Sequence, residues 1–374
     1  MKRGATDAVM VSRGDAKSRR VRLEGRGSFR AMRQVSSASW SETTIADALV
    51  KVRRPKSIPL SQYLSEGCYP VIDQGKNLVA GYTNDESAVI FSPLPITIFG
   101  DHTRIVKFSK IPFATGADGT QLLYPKAGID PTFFYYAIKN IDLSNYFYAR
   151  HFKYLKASNI PLPPLPVQRR IADILSAYDD LIENNRRRIS ILEETARLTY
   201  RKWFGGGEGR LLPLAEVADV LYGKDHKKIQ DGDIPIFGSG GIMRYGAKAI
   251  YEQPSVLIPR KGTISNVMYV EEPFWTVDTM FYTRVKIPNM ERILYYQLCD
   301  YNIASMSTGA AVPSMTTAIL NALRIVVPPS ELRQRFDEAV SPIFGQCRIL
   351  KKQSAALAAA RDMLLPRLMK GFNN

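Results

Sequence analysis

Hydrophobic residues recur in alternating steps of four and three along two long stretches of this chain. Such spacing places one apolar stripe along a helix and is typical of a coiled-coil seam. The seam positions of the first stretch are Ile171, Leu175, Tyr178, Ile182, Asn185, Ile189, Leu192, Ala196, Thr199 and Trp203. Those of the second stretch are Phe336, Val340, Ile343, Cys347, Leu350, Ser354, Leu357, Arg361, Leu364 and Leu368. The pattern predicts two long helices in matching register.

Two matched seams in one chain favour antiparallel pairing of the helices with each other, although each helix could instead pack on its own domain. A helix from Ile171 to Trp203 would be about 50 Å long, at about 1.5 Å per residue. Asn185 on the first seam would fix the register if it is buried, or mark a solvated patch if it is not. The second helix could begin near residue 330 or at Ser341, because Ser341 followed by Pro342 suits an N-cap and a first helical position.

A junction that contains two prolines precedes each helix. It reads NIPLPPLPVQRRIADIL from Asn159 to Leu175 and RIVVPPSELRQRFDEAV from Arg324 to Val340. Corresponding residues of the two junctions are again 165 positions apart. The repetition predicts the same supersecondary unit twice: a short strand, a Pro-Pro step and the start of a helix.

Short β-rich runs separated by turns fill the segment before each junction. The first set is YPVID, AVIFS, ITIF and TRIVKFS, and the second is IPIFGSGG, SVLIPRKG, NVMYVEEPFW and MFYTRVKI. Each set ends in an aromatic helical stretch, PTFFYYAIKNI or MERILYYQLCDY. We therefore predict an α+β fold class with two tandem domains, each followed by a long helix. The expected segments are a basic arm (1–39), a first domain (40–165), a first helix (166–204), a Gly-rich hinge (205–209), a second domain (210–329) and a second helix (330–374).

The charge balance points to an anionic partner. The chain has 51 Lys and Arg against 35 Asp and Glu, a net charge of +16. Such an excess favours nucleic acid or an anionic surface, although a merely soluble basic protein would share it. Residues 1–39 are expected to be a disordered arm that is solvated or touches DNA phosphates. They could also precede the true start of the protein, because Met32 stands shortly before the folded-looking sequence.

Cysteine usage and hydropathy favour a cytoplasmic location. The three cysteines lie far apart, which fits a reducing compartment better than a disulfide framework. The N-terminus lacks the apolar stretch of a signal peptide, and no run approaches the roughly 18 apolar residues of a spanning helix. We expect a soluble intracellular protein without a membrane partner.

Enzyme motifs are missing from the sequence. His102, His151 and His226 lie too far apart for a metal-ligand spacing. GGIMRYGAK lacks the Gly-Lys-Ser/Thr order of a phosphate-binding loop, and no Gly-x-Ser-x-Gly elbow exists. PLPPLP lacks the polar and aromatic residues with which base-modifying methyltransferases grip a flipped base. The sequence predicts a binding protein with no catalytic residue, no metal site and no cofactor of its own.

Polar side chains with base-reading or phosphate-binding chemistry cluster in predicted turns. Arg and Lys pair with guanine, Asn and Gln pair with adenine, and hydroxyl groups and lysines often hold phosphates. Each loop by itself could be an ordinary turn, but two unlike loop sets on one repeated scaffold would suit two different half-sequences. The candidate DNA-binding residues are Gln74, Lys76, His102, Thr103, Arg104, Lys153, Lys156, Ser239, Arg244, Arg260, Lys261, Thr263 and Asn266.

From Trp40 onwards the chain resembles the specificity subunit of a type I restriction-modification system. The resemblance rests on IPLPPLPVQRRIADILSAYDDLIENNRRRISILEETARLTYRKWF, and above all on its position, its length and the closing Trp203-Phe204. IVVPPSELRQRFDEAVSPIF and the loops IFGDHTRIVKF and PRKGTISNV support it. The basic arm before Met32 and the polar AALAAARDM of the second helix depart from the family pattern.

The resemblance implies that each α+β domain is a target recognition domain and each long helix a spacer. Each domain would then read one half of a split, asymmetric sequence in double-stranded DNA. Two methyltransferase subunits would dock on the chain and modify an adenine amino group with S-adenosylmethionine. Restriction-translocase subunits, which use ATP and Mg²⁺, would join for cleavage.

Two alternatives from other functional classes remain open on the sequence. A self-sufficient nuclease or methyltransferase would require a divalent metal ion or S-adenosylmethionine for activity of the isolated chain. A basic coiled-coil adaptor for RNA or membranes would bind nucleic acid without sequence preference and with a steep salt dependence.

Overall fold

The computed structural model describes residues 40–116, 119–144, 150–306 and 314–371. The predicted basic arm, residues 1–39, lies outside the described residues. The described residues form two compact units, one within residues 1–178 and 359–374 and the other within residues 179–358. Both long helices contribute to both units.

The first unit contains an α+β domain built from short strands. Its order along the chain is β1 (Ser41–Thr44), α1 (Ile45–Ala48), β2 (Leu49–Val50), β3 (Tyr69–Ile72), β4 (Gly81–Thr83), β5 (Val89–Ile90), β6 (Ile96–Gly100), β7 (Val106–Ser109), β8 (Phe113–Thr115), β9 (Thr120–Pro125), α2 (Pro131–Lys139), α3 (Phe152–Ala157), β10 (Asn159–Leu162) and the start of α4 (Leu165–Phe204). Two 3₁₀ turns span Leu60–Gln62 and Glu86–Ala88. The aromatic helix α2 starts where the Asp130 carboxylate caps the amides of Thr132 and Phe133, both at 2.9 Å, with Pro131 at the first helical position.

The second unit repeats the scheme. Its elements, after the end of α4, are β11 (Arg210–Pro213), α5 (Leu214–Val217), β12 (Ala218–Tyr222), β13 (Ile234–Gly238), β14 (Gly241–Gly246), β15 (Ser255–Pro259), β16 (Met268–Val270), β17 (Trp275–Thr276), β18 (Met280–Val285), α6 (Glu291–Asp300), α7 (Thr317–Asn321), β19 (Arg324–Val327) and α8 (Ser330–Met369). A 3₁₀ turn spans Ile303–Met306. The core strand β15 is buried along its whole length, which fits its run of apolar residues.

The sheets of the two units have corresponding strand orders, except at one edge of the smaller sheet. The larger sheet runs β2-β9-β6-β7 in the first unit and β12-β18-β15-β16 in the second. The smaller sheet runs β4-β3-β8-β5 in the first unit and β14-β13-β17 in the second, so its second copy has no counterpart of β5. The pair β3-β8 and the pair β13-β17 are both parallel. Pro70 of β3 stands opposite Tyr82, and Pro235 of β13 stands opposite Tyr245. The predicted tandem α+β domains are therefore confirmed as an internal repeat.

The long helices run antiparallel. In the first unit the start of α4, at Ile171 and Leu175, shares a core with Leu365 and Leu368 near the end of α8. In the second unit the end of α4, at residues 196–204, shares a core with Phe336 and the start of α8. The start of each helix thus packs with the end of the other, as the seams predict.

None of the predicted seam positions is exposed. Asn185 is 8% exposed and Leu350 is fully buried, so the Asn lies in an apolar seam rather than in a solvated patch. Lys351 of α8 forms an ion pair of 2.8 Å with Glu193 of α4 in the second unit. At the other end of the seam, the polar stretch of α8 leads into the buried side chains Leu365, Leu368 and Met369, so the helix stays packed beyond it.

The expectation that the second helix could begin at Ser341 is wrong. Helix α8 runs without interruption from Ser330 to Met369 and carries Pro342 in its interior. A proline there removes one main-chain hydrogen bond and normally bends or breaks a helix. Val340 is fully buried beside it, and Ile343 and Phe344 pack against the same core, so tertiary packing outweighs the local preference.

Each Pro-Pro junction closes its domain onto the long helix that follows. Strand β10 pairs antiparallel with β1, and β19 pairs in the same way with β11. The Gln168 Nε2 then donates a hydrogen bond of 2.8 Å to the carbonyl of Pro163, and the Arg333 Nη1 donates one of 3.0 Å to the carbonyl of Pro328. Both donors and both prolines are buried, so a side chain on the first turn of each helix satisfies the buried carbonyl of the proline that follows the strand.

We expect Gln168→Ala to lower the free energy of unfolding of the first unit by about 2 kcal/mol, because it leaves buried polar groups without partners. Gln168 also accepts a hydrogen bond of 2.8 Å from the amide of Asp130, the residue that caps α2. Urea denaturation of the full chain measures the free energy of unfolding. Hydrogen exchange of the α2 amides shows whether the loss of stability lies in the first unit.

The matched control is Arg169→Ala, since Arg169 is the exposed neighbour on the same helical turn. Its expected effect is below about 0.5 kcal/mol. If Gln168→Ala and Arg169→Ala have the same free energy of unfolding, the junction does not depend on the Gln168 side chain.

Candidate nucleic-acid interface

Two loops of the first domain are joined by hydrogen bonds at one end of its sheets. The turn between β6 and β7 carries His102 and Thr103, and the loop between β3 and β4 carries Gln74. The His102 amide donates to the Gln74 Oε1 at 3.2 Å, and the Thr103 hydroxyl donates to the Gln74 carbonyl at 2.7 Å. Three predicted DNA-binding residues, from positions 28 and 29 residues apart in sequence, therefore lie side by side.

A buried lysine on β7 holds the same loop through contacts at two of its positions. The Lys107 side chain is 5% exposed, its Nζ donates to the carbonyl of Asn77, and it lies 3.6 Å from the Asp73 carboxylate. Burial lowers the pKa of Lys107, and the charge and hydrogen bond of Asp73 oppose that shift. Lys107 cannot reach DNA, but it fixes the loop that carries Gln74 and the exposed Lys76.

Arg104 lies in the turn between β6 and β7 with a positive φ of 62°. Its Nη1 donates a hydrogen bond of 3.1 Å to the carbonyl of Leu143. The neighbouring carboxylate of Asp142 has a lowered pKa, because Ser144 donates hydrogen bonds to it and, less strongly, because the Arg104 charge is near. A cavity of about 330 Å³ opens beside these groups, with Lys139 in its lining. The Arg104 side chain is exposed and anchored, which limits its conformational freedom.

The prediction that Lys153 and Lys156 lie in a loop is wrong, because both are on the short helix α3. The Asp101 carboxylate accepts a hydrogen bond of 2.8 Å from the amide of Phe152, and the Asp101 carbonyl accepts one from His151 at 3.0 Å. The start of α3 is thus fixed to the β6–β7 turn. Its two lysines are exposed and remain predicted DNA contacts.

The second domain joins the corresponding pair of loops. The Asn266 Nδ2, between β15 and β16, donates a hydrogen bond of 2.8 Å to the carbonyl of Ser239, between β13 and β14. Gly262 has a φ of +83°, and a Cβ there would stand 2.5 Å from the Ser239 hydroxyl, so the close approach requires glycine. The Arg260 guanidinium lies 5.5 Å from the centre of the Tyr222 ring. Lys261 and Thr263 are exposed on the same loop.

The sequence places Ser239 and Arg244 together in a predicted turn, GSGGIMRYG from Gly238 to Gly246, and this is wrong for Arg244. Strands β13 and β14 form a hairpin in which Gly238 pairs with Gly241, and only Ser239 and Gly240 make the turn. Arg244 lies on β14 and faces the segment before β13. Its guanidinium donates to the carbonyls of His226 and Ile229, at 2.6 and 2.8 Å, and pairs with Asp231 at 3.0 Å. Arg244 therefore holds two parts of the domain together, which sequence reasoning missed.

The two domains thus present equivalent loop pairs with different side chains. Each pair joins the β3–β4 or β13–β14 connection to the β6–β7 or β15–β16 connection. Sequence spacing pointed to both pairs, but it missed Lys107, which holds the loop after β3, and Tyr222, whose ring lies beside Arg260. No sequence signal distinguishes a buried positioning lysine such as Lys107 from the exposed lysines that alternate with apolar residues on other strands.

The part of the chain that the structure describes shows neither a cluster of metal-binding side chains nor a membrane-spanning helix. Within residues 40–116, 119–144, 150–306 and 314–371, no group of three or more His, Cys, Asp or Glu side chains could hold a metal ion. Over the same residues, no helix combines the length and the apolar character that crossing a membrane requires.

Comparison with known proteins assigns this architecture to a family. The type I restriction modification DNA specificity domain matches twice, over residues 38–194 and 212–358, and each match covers one α+β domain and most of its long helix. This chain belongs to that family. The predicted membership among type I specificity subunits is confirmed. Such subunits are non-catalytic parts of a larger complex, so the chain provides DNA specificity and is not an enzyme by itself.

Individual relatives agree with the family. The type I restriction enzyme MjaIX specificity subunit of Methanocaldococcus jannaschii is 25% identical over 321 residues, which cover 71% of this chain and 74% of that protein. The putative MjaX specificity subunit of the same organism is 22% identical over 253 residues, 58% of this chain and 60% of the relative. The crystal structure of the type I restriction-modification S subunit from M. genitalium matches with a TM-score of 0.55 at 19% sequence identity. The match covers 88% of this chain and 96% of the M. genitalium chain. It supports the fold.

We expect Lys107→Met to weaken modification of one half of the recognised sequence by about tenfold, because the loop that carries Gln74 loses a charge-assisted hydrogen bond. The fold should persist, since the substitution replaces a buried charge with an apolar side chain of similar length. Methylation rates on duplexes altered in either half measure the effect.

Lys126→Met is the control, because Lys126 is exposed and the change in charge is the same. If complexes with Lys107→Met and with Lys126→Met have equal methylation rates on duplexes altered in either half, the buried lysine does not position the recognition loop.

Proposed function

We propose that the two joined loop pairs are the DNA-reading surfaces, one for each half of a split, asymmetric sequence. The observation that carries this proposal is the repetition of one scaffold with unlike side chains at the same place. In the first domain that place bears Gln74, His102 and Thr103; in the second it bears Ser239 and Asn266. An identical scaffold with different polar groups is what two different half-sequences require.

Phosphate contacts would come from the exposed lysines around each pair. In the first domain these are Lys76, Lys153 and Lys156, and in the second Lys261 with the Thr263 hydroxyl. Such contacts orient a protein on the duplex without reading bases. Base reading falls in this proposal to Gln74, to Asn266, and to Arg104 and Arg260, whose guanidinium groups match guanine.

We also propose how this chain assembles with its partner subunits. Two methyltransferase subunits dock on this chain and transfer a methyl group from S-adenosylmethionine to an adenine amino group. Restriction-translocase subunits with ATP and Mg²⁺ join them for cleavage, and the complex works in the cytoplasm. The antiparallel pairing seen in both units supports a role of the helices in setting the gap between the half-sequences, as dimer geometry does in other DNA readers.

Arg104→Ala should weaken recognition of one half-sequence by about 1–3 kcal/mol, and Arg260→Ala should weaken recognition of the other half by a similar amount. The physical reason is that each arginine lies at the loop pair of a different domain. The measurement is the methylation rate of the reconstituted complex on duplexes with single base-pair changes in either half. Relaxation of the same half by both variants would contradict the two-reader proposal.

Deletion of residues 176–182 removes one heptad of α4 and shortens it by about 10 Å, while the seam keeps its face. We expect the gap in the recognised sequence to change by about three base pairs, at about 3.4 Å per base pair, or modification to cease. Leu181→Ser is the control, because Leu181 is 52% exposed and the helix length is unchanged. An unchanged gap in the deletion variant would show that the helices do not set it.

A further inference from the structure

The hairpin β13–β14 of the second domain exposes three apolar side chains next to the loop pair. Ile242 is 51% exposed, Met243 is 59% exposed and Tyr245 is 50% exposed. In the first domain the equivalent strand β4 carries the half-buried Tyr82 opposite Pro70. A longer loop, residues 73–80, takes the place of the tight turn there, so this apolar tip belongs to the second domain.

A β-bulge sets the direction of the tip. Ile236 stands opposite Arg244 and Phe237 stands opposite Ile242, so Met243 has no partner on β13. A bulge of this kind turns a side chain away from the regular sheet positions. The Met243 Sδ would lie 2.5 Å from a Cβ at position 238, so Gly238 is needed for the thioether to lie across the end of β13. Met243 is thereby placed beside Ser239 and the loop that Asn266 joins to it.

Basic residues flank the tip. Arg244 holds the segment 224–230 against β14 through its hydrogen bonds to His226 and Ile229. That segment exposes Lys224, Lys227 and Lys228. Of the nearby carboxylates, Asp231 pairs with Arg244, and Asp225 accepts a hydrogen bond of 3.0 Å from the Lys227 amide. An apolar tip between exposed lysines complements a DNA groove, whose walls are phosphates and whose floor carries methyl groups.

We propose that the β13–β14 hairpin enters the major groove of the half-sequence read by the second domain, where Ile242 and Met243 contact the C5-methyl groups of thymine. This inference rests on the proposed function of the loop pair. A two-stranded ribbon fits the major groove, and only thymine among the four bases presents a methyl group there. The tip is therefore a specificity-determining surface that tells thymine from cytosine by apolar contact.

The experiment uses this chain in complex with its methyltransferase subunits and duplexes that carry the recognised sequence. Thymine is replaced by uracil in one half at a time, which removes only the methyl group. In the half that Arg260→Ala weakens, uracil should lower the affinity about fourfold for each contacted methyl group. The double variant Ile242→Ser with Met243→Ser should bind thymine and uracil duplexes equally well. Ile111→Ser is the matched control in the first domain, because Ile111 is 58% exposed and lies outside the loop pair. It should keep the preference for thymine in the half that Arg260→Ala weakens.

Two outcomes would overturn the proposal while leaving the proposed function intact. One is specific modification by the unchanged complex that is insensitive to uracil in that half. The other is a double variant that keeps the preference for thymine. If that variant also loses methyltransferase subunits on size-exclusion chromatography, the tip binds a protein partner instead of DNA. Absence of any sequence-specific modification by the unchanged complex would instead sink the proposed function, and this inference with it.

Discussion

In each unit, the buried carbonyl of the first proline in the Pro-Pro step depends on one side chain five residues further along. Gln168 provides the hydrogen bond in the first unit and Arg333 provides it in the second. Without it a buried acceptor would lose its partner, at a cost of about 1–3 kcal/mol. The contact fixes where the last strand of the domain ends and where the long helix begins. The direction of the helix relative to its own domain follows from that point.

The same requirement explains why one chain contains this junction twice. Each copy serves one domain, and in each the strand before the prolines pairs with the first strand of that domain. The side chains of Gln168 and Arg333 differ in how many of their polar atoms form hydrogen bonds. Gln168 also binds the Asp130 amide and the Gly128 carbonyl, whereas among the described residues the Arg333 Nε has no hydrogen-bond partner. The repeat therefore preserves the position of the donor and the accepted carbonyl but not the surrounding network.

Sequence periodicity predicted the features that follow from burial over many residues. The seam steps from Ile171 to Trp203 identified α4, because regular spacing over 33 residues favours one continuous helix. Local features were harder to predict. The glycines at 238, 240 and 241 suggested a loop, yet Gly238 and Gly241 pair on the strands of a hairpin and only Ser239 and Gly240 form its turn. Two-residue turns and longer loops share the same composition. Pro342 suggested a helix start, but packing of Val340 and its neighbours keeps α8 continuous.

The candidate site shows the same division. Turn composition located Gln74, Arg104 and Asn266, because polar residues between strands stand out in a sequence. It could not show that Lys107 is buried or that Arg244 is engaged within the domain, since both depend on contacts between distant segments. The tip formed by Ile242 and Met243 was missed for a related reason: exposed apolar residues on a short strand look like core residues until the burial is known.

The most direct test of the central claim is long-read methylation sequencing of the source genome with and without this chain. The account predicts a split, asymmetric motif that carries N6-methyladenine and disappears when the chain is deleted. A methylome that stays unchanged on deletion, although the partner methyltransferase is expressed, would contradict the assignment of DNA specificity to the two loop pairs.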